Sequence, residues 1–300
     1  MKILLRDHNG VLTDLKPHFE LVNTVREADV VVLWQDIMSM ELCIARTAKR
    51  FKKPLIVIQH GRHGMEDYVP PLSNPLLADK ICVWGDLDRD MLLRGGISSQ
   101  KIEITGTTIF QKLKGRTPHK GVNILFSPQH WDYDVEENTE IMEVLKKICK
   151  KNKWNLKAKI IERHDRSKYG KYAVYSQREQ PNHLDVCAEV LSWADIVVSI
   201  SEITFELLAQ ALDIPVIACD IGKPRMLNYN PKYLNLERYY SKAVKKIKDL
   251  TLLEETIKQQ LENPNELQDE RKDVTMTDGG IYIKNPLQKM ISVIKNAKPH

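Results

Sequence analysis

The feature that most constrains this chain is a repeated alternation of strand-length apolar runs with helix-length amphipathic stretches. KILL from residue 2, DVVVLW (29–34), PLIVIQH (54–60), KICVWG (80–85) and KIEIT (101–105) follow one another through the first third. Each run is rich in β-branched residues and almost continuously apolar, as expected of parallel strands covered on both faces. Between them the clearest helix runs from Asp36 to Phe51, with Met38, Leu42, Ala45 and Ala48 at helical spacing. Repeated βα units of this kind imply a doubly wound parallel α/β sheet.

The alternation stops at QKLKGRTPHKG (111–121), a polar stretch with two glycines and a proline that reads as a linker, and then restarts. NILFSP (123–128), strands near 156–161 and 172–175, DIVVSI (195–200) and PVIACDI (215–221) alternate with helices near 135–150, 183–193 and 202–212. The rest reads as mainly helical and ends in a segment near 285–296 with Leu287, Met290, Ile291 and Ile294 on one face. At 300 residues the chain is long for one core. The expected organisation is a Rossmann-like domain over 1–115, a second over 121–275, and a C-terminal helix in 276–300 returning to the first.

Composition narrows the class. A hydrophobic fraction of 42% with 28% charged residues is that of a folded globular protein. No apolar run approaches the ~20 residues that span a bilayer, and MKILLRDHNG is unlike a signal peptide, so a cytoplasmic location is expected. Cys43, Cys82, Cys149, Cys187 and Cys219 are scattered and odd in number, and read as buried thiols without a metal or catalytic role. The net charge of +5 is uneven, with lysines concentrated at 145–159 and 242–248. Such runs read first as solvated helix faces. They also leave open peripheral contact with an anionic inner-membrane face, or with nucleic acid, although neither run interleaves the aromatics of a base-stacking surface.

Ligands of parallel α/β sheets bind beyond the carboxyl ends of the strands, so the residues just after each run carry the chemistry. Asn9 and Gly10 follow the first strand. QHGRHGMEDY (59–68) gathers His60, His63, Glu66 and Asp67 around two glycines, a loop suited to carrying a general base. A two-histidine metal site lacks a third ligand there, and no metal is expected. SISEITFE (199–206) places Ser199, Ser201, Thr204 and Glu206 at a strand-to-helix turn, where free N–H groups and the helix dipole make a phosphate site. SPQHWDYD (127–134) supplies Ser127 and His130, and ITGTTIF (104–110) supplies Gly106 and Thr107 beside the linker.

Taken in order, the HG loop, VWGDLDRDMLLRGGISSQKIEITGTTIF (83–110), ILFSPQHWDYD (124–134), ADIVVSISEITFELLAQALDIPVIACDI (194–221) and TDGGIYIKNPLQKMISVIK (277–295) resemble the GT-B glycosyltransferase superfamily. Within it the sequence is most similar to the CDP-glycerol glycerophosphotransferase and surface-polysaccharide transferase group, and more distantly to UDP-GlcNAc 2-epimerases. The resemblance implies two Rossmann-like domains with a cleft between them and the nucleotide held mainly by the second.

It places the phosphate on Ser199, Ser201 and Thr204, the ribose on Glu206, and the base on His60 beside Gly61, with His63 and then Asp67 as competitors. Ser127 and His130 join the nucleotide side, and Asn9, Gly10, Gly61, Gly106 and Thr107 line the cleft. The implied activity is transfer of a sugar or alditol phosphate from a UDP-, CDP- or CMP-linked donor to a glycan or lipid-linked acceptor, with no tightly bound cofactor. The alternatives are a 2-epimerase-like enzyme and a glycosyltransferase acting on nucleic acid. PPLSNPLLADK (70–80) lacks the acidic cluster and Pro-Glu-Glu stretch that the epimerases carry, which favours transfer.

Overall fold

A computed structural model describes residues 1–298 apart from 8–11, 38, 63–64, 66–67, 69–74, 129–135, 163, 178–182, 201–203 and 222–241. Its described strands form two six-stranded parallel sheets, each flanked by helices.

The first sheet is built from β1 (Lys2–Arg6), β2 (Glu20–Leu21), β3 (Val30–Leu33), β4 (Leu55–Ile58), β5 (Lys80–Val83) and β6 (Ile102–Ile104), in spatial order β2-β1-β3-β4-β5-β6. Every residue of β3 and β4 is buried, which is why these strands read as unbroken apolar runs. The helices of this unit are α1 (Ser39–Arg50) and α2 (Asp86–Arg94).

The second sheet comprises β7 (Asn123–Ser127), β8 (Asn155–Ile160), β9 (Ala173–Tyr175), β10 (Ile196–Ser199), β11 (Val216–Cys219) and β12 (Val244–Ile247), in order β12-β11-β10-β7-β8-β9. Its helices are α3 (Glu136–Asn152), the single turn α4 (Arg166–Tyr169), α5 (His183–Trp193), α6 (Thr204–Ala211) and α7 (Leu253–Glu262). In α3, Glu136 and Glu137 open the first turn and Lys150 and Lys151 close the last, each sign opposing the helix dipole. Ile141, Leu145 and Ile148 pack on Ile124, Phe126, Ala158 and Ile160, together with Leu253 and Ile257 of α7.

α8 (Gln268–Thr277) and α9 (Pro286–Lys295) complete the chain. By contact clustering, Met1–Ile109 and Met276–His300 form one compact unit, while Phe110–Leu227 with Asn235–Thr275 form the other. Pro286 occupies the first turn of α9, where its missing N–H costs nothing. Met290, Ile291 and Ile294 of α9 are buried with Ile3, Leu12, Leu15, Val30 and Val32.

The structure corrects several readings of the sequence. KAVKKIK is not a helix face: Val244 and Ile247 are buried in β12, at the edge of its sheet, while the lysines between them project outward. The run 145–159 is only partly a solvated helix, because Lys159 lies on β8 and is 9% exposed. Cys43 is exposed, whereas the other four cysteines are buried. Burial pushes the thiols of Cys82, Cys149 and Cys219 up to about 12 and raises that of Cys187, so all four are held as neutral hydrophobes. Asp36, read as the start of a helix, precedes α1 and is fully buried.

Candidate functional site

In each sheet the strand order reverses once, and the crevice at that switch point is where open α/β sheets receive ligands. In the first unit the switch falls between β1 and β3. The residues following β3 are Trp34, Gln35 and Asp36, and the Trp34 ring meets His60 edge-on, with centroids 4.5 Å apart. Trp34 Nε1 donates to Glu41 Oε1 of α1 over 3.3 Å, which fixes the indole. His60 itself is half-buried, two residues beyond β4.

The loop carrying His60 is braced on both sides. Gln59, with no exposed surface, donates through Nε2 to the Gly61 carbonyl (2.8 Å) and to Asp88 Oδ2 (2.9 Å). Its Oε1 accepts from the Trp84 backbone N–H at 2.7 Å, and its carbonyl accepts from Trp84 Nε1 at 3.0 Å. One residue past Gly61, Arg62 forms a buried ion pair with Asp278 at 2.8 Å. Asp36 tethers the approach to β5, accepting from the N–H groups of Leu77 and Ala78 (2.8 and 2.9 Å), and burial raises its carboxyl above the usual range. Gly106 and Thr107 are integral to this unit. Gly106 sits at φ +71° against Ile283, and Thr107 is 5% exposed with its Oγ1 accepting from the Ile109 N–H.

In the second unit the switch falls between β7 and β10, and there Ser127 and Ser199 face each other in register at the ends of their strands. Both are buried, and the Ser199 hydroxyl has no hydrogen-bond partner among the described residues. α6 begins at Thr204, five positions after Ser199, and Glu206 is enclosed in its first turn. A parallel strand feeding a helix at a switch point directs the helix's free N–H groups toward the crevice, which suits an anion. His63, Asp67 and Glu66, His130, Ser201, and Asn9 with Gly10 lie outside the described residues.

The structure thus brings Ser127 beside Ser199 and sets His60 next to Trp34. The sequence reading missed Trp34, Gln59, Arg62 and Lys159. Gln59 and Arg62 were legible as neighbours of the histidines, but nothing local marks them as buried braces. Among the described residues no three His, Cys, Asp or Glu side chains gather as a metal ligand set, and no helix is long and apolar enough to cross a membrane.

No protein-family model matches the chain, and no curated protein matches it by sequence. Solved structures do match in fold. One is assigned to a UDP-N-acetylglucosamine 2-epimerase from Listeria monocytogenes, with a TM-score of 0.63 at 12% identity over 98% of this chain and 95% of that one. A second is the UDP-GlcNAc 2-epimerase of Methanocaldococcus jannaschii in complex with UDP-GlcNAc and UDP, with a TM-score of 0.57 at 15% identity over 92% and 98%. A third is the wall teichoic acid polymerase TagF soaked with CDPG, with a TM-score of 0.60 at 12% identity over 91% and 75%. The fold is therefore that of the GT-B class, two Rossmann-like parallel-sheet domains in one chain.

Proposed function

We propose that this protein is a transferase that takes a sugar or alditol phosphate from a UDP-, CDP- or CMP-linked donor and delivers it to an acceptor hydroxyl, in the assembly of a surface polysaccharide. The observation that carries this reading is the register pairing of Ser127 with Ser199 at the switch point of the second sheet, just before α6. It supplies hydroxyls and a helix N-terminus where a nucleotide's phosphates need donors. Two structures of similar fold hold nucleotide-linked ligands, UDP-GlcNAc with UDP in one and CDPG in the other, which supports the same class of donor.

In this reading the second unit holds the donor, with Glu206 and Thr204 at the ribose and phosphate. The first unit receives a glycan or lipid-linked acceptor beside His60 and Gly61. His60 removes the proton of the attacking hydroxyl. An imidazole is the economical base for an alcohol near neutral pH, and the flanking indole leaves part of the ring open. Positioned dipoles rather than a resident cofactor stabilise the leaving phosphate.

The test is thermal unfolding of the full chain with CMP, CDP, UDP, GDP and TDP, since a nucleotide that binds only the folded state raises its unfolding temperature. A rise with at least one nucleotide is expected, and no rise with any of them refutes the reading. Turnover of the matching donor that requires an added acceptor supports transfer. Turnover without acceptor supports an epimerase instead.

A further inference from the structure

The second unit holds a buried cation that the reading above does not use. Lys159 is the penultimate residue of β8 and is 9% exposed. Phe126 of β7 pairs with Ala158, so the next step of that register sets Ser127 level with Lys159, as Ser127 is level with Ser199. Ser199, Ser127 and Lys159 thus form one row across β10, β7 and β8 near their carboxyl ends. Side chains alternate along a strand, and Val198, Phe126 and Ala158 belong to the core beneath α3 and α7. The Ser–Ser–Lys row therefore points to the opposite face, under α5 and α6.

The contacts of Lys159 agree with that placement. Its Nζ lies 5.5 Å from the ring centroid of Phe205 in the first turn of α6, and its charge acts on the nearby Cys187 thiol of α5, opposing the rise that burial imposes on it. Cys187 and His183 approach at 3.8 Å, and Ser176 Oγ meets His183 Nδ1 at 3.0 Å. The Cys187 thiol is held neutral by burial, so none of these groups offsets a positive charge. Among the described residues no carboxylate pairs with Lys159. A buried ammonium beside a thiol and an aromatic face, with no carboxylate partner among the described residues, is costly to fold around unless an anion completes it. Two independent observations mark the same row: this buried cation and the buried hydroxyl of Ser199, neither with a carboxylate or hydrogen-bond partner, respectively, among the described residues.

We propose that Lys159 is the counter-cation for the phosphate chain of a nucleoside diphosphate or monophosphate held at the start of α6, with Ser199 and Ser127 as neighbouring hydrogen-bond donors. This rests on the reading of the second unit as nucleotide-binding. Lys159 supplies charge at a point that the backbone N–H groups of α6 supply only as a dipole. It acts on the phosphates and leaves recognition of the nucleoside to other residues.

The experiment compares the wild-type chain with Lys159→Met and Lys159→Arg, measuring affinity by calorimetry for uridine, UMP and UDP and for cytidine, CMP and CDP. Thermal unfolding without ligand is recorded alongside. Lys159→Met is expected to weaken the diphosphates by ~10- to 100-fold, the loss of one charged hydrogen bond, while nucleoside affinity stays unchanged. Lys159→Arg keeps most of the diphosphate affinity. The ligand-free Lys159→Met protein unfolds at or above the wild-type temperature, because a methionine fills the space without needing a counter-ion.

Wild-type diphosphate affinity in Lys159→Met, an equal loss for nucleoside and diphosphate, or a Lys159→Met chain that fails to fold would each overturn the assignment. If the wild-type chain binds none of these nucleotides, the nucleotide reading itself falls and the role of Lys159 falls with it. If it binds them and only the Lys159 variants behave otherwise than expected, the nucleotide reading stands and this inference alone fails.

Discussion

Arg62 Nη2 donates to Asp278 Oδ2 over 2.8 Å, with side chains 1% and 7% exposed, so the loop that carries His60 is bonded to a segment more than two hundred positions further along the chain. Removing one partner of a buried pair strands the other, so Arg62→Met or Asp278→Asn should each cost ~3–5 kcal/mol. The double variant Arg62→Met with Asp278→Leu should recover a large part of that loss. Urea unfolding measures both. Singles within ~0.5 kcal/mol of wild type would show that the pair contributes nothing.

The same segment lies against the turn after β5 without room for a side chain. Gly280 adopts φ +59°, and a Cβ built there would stand 1.9 Å from the Trp84 carbonyl oxygen. Gly280→Ala should combine ~1–2 kcal/mol of left-handed strain with ~1–3 kcal/mol of overpacking. Gly96, at φ +89° with nothing within 4 Å, is the control, and its alanine variant should show only the backbone strain. Equal losses for the two in denaturant unfolding would contradict the contact.

Turnover with a defined acceptor should fall ~10²- to 10⁴-fold in His60→Ala while nucleotide affinity is retained, the usual worth of a positioned base. Near-wild-type turnover would move the role to His63, and failure of that variant as well would move it to Asp67 or Glu66.

Ser199→Ala removes a buried hydroxyl that has no partner among the described residues. Stability should be unchanged or slightly higher, because an unmet polar group is lost. Affinity for a bound nucleotide should fall by ~1 kcal/mol, about fivefold to tenfold. A loss of stability without a loss of affinity would make Ser199 a packing residue.

Two carboxylates should give opposite pH signatures. Burial raises the Asp36 carboxyl above 3.8, so the folded state resists its ionisation, and stability is lost as pH climbs from 3.8 through the raised value. Asp36→Asn keeps an acceptor for the Leu77 and Ala78 N–H groups, so its stability relative to wild type should rise across that window. Glu254 is half-buried and bonded to Lys258, Lys151 and Asn152, which lower it from 4.5 to about 2. Its contribution is present above 4.5 and is lost as pH falls toward 2, a loss that Glu254→Gln should abolish. Unfolding midpoints at pH 2.5, 4 and 7 separate the two effects.

The sequence by itself determined the architecture. Strand-length apolar runs alternating with amphipathic helices admit little but parallel α/β sheets, and the pause at 111–121 marked where one series ended and another began. It also singled out the stretches just after the strands, because ligands of such sheets meet the residues there. Ser127, Ser199 and His60 were legible for that reason.

Only the tertiary structure decided which of those residues stand together. Strand order is set by packing among elements distant in sequence, so the register of Ser127 with Ser199 could not be read from either run. Lys159 was hidden among seven lysines between 145 and 159, and the period of two along β8 groups it with exposed Asn155 and half-buried Lys157, so only packing shows that it is buried. Nothing local marks Arg62 as buried, because its partner Asp278 lies more than two hundred positions away. KAVKKIK reads as a helix face because a four-residue edge strand with two lysines between its buried ends has too short a pattern to distinguish a period of two from one of 3.6. Local periodicity encodes which face of an element is buried, whereas the identity of the group it is buried against is a property of the whole chain.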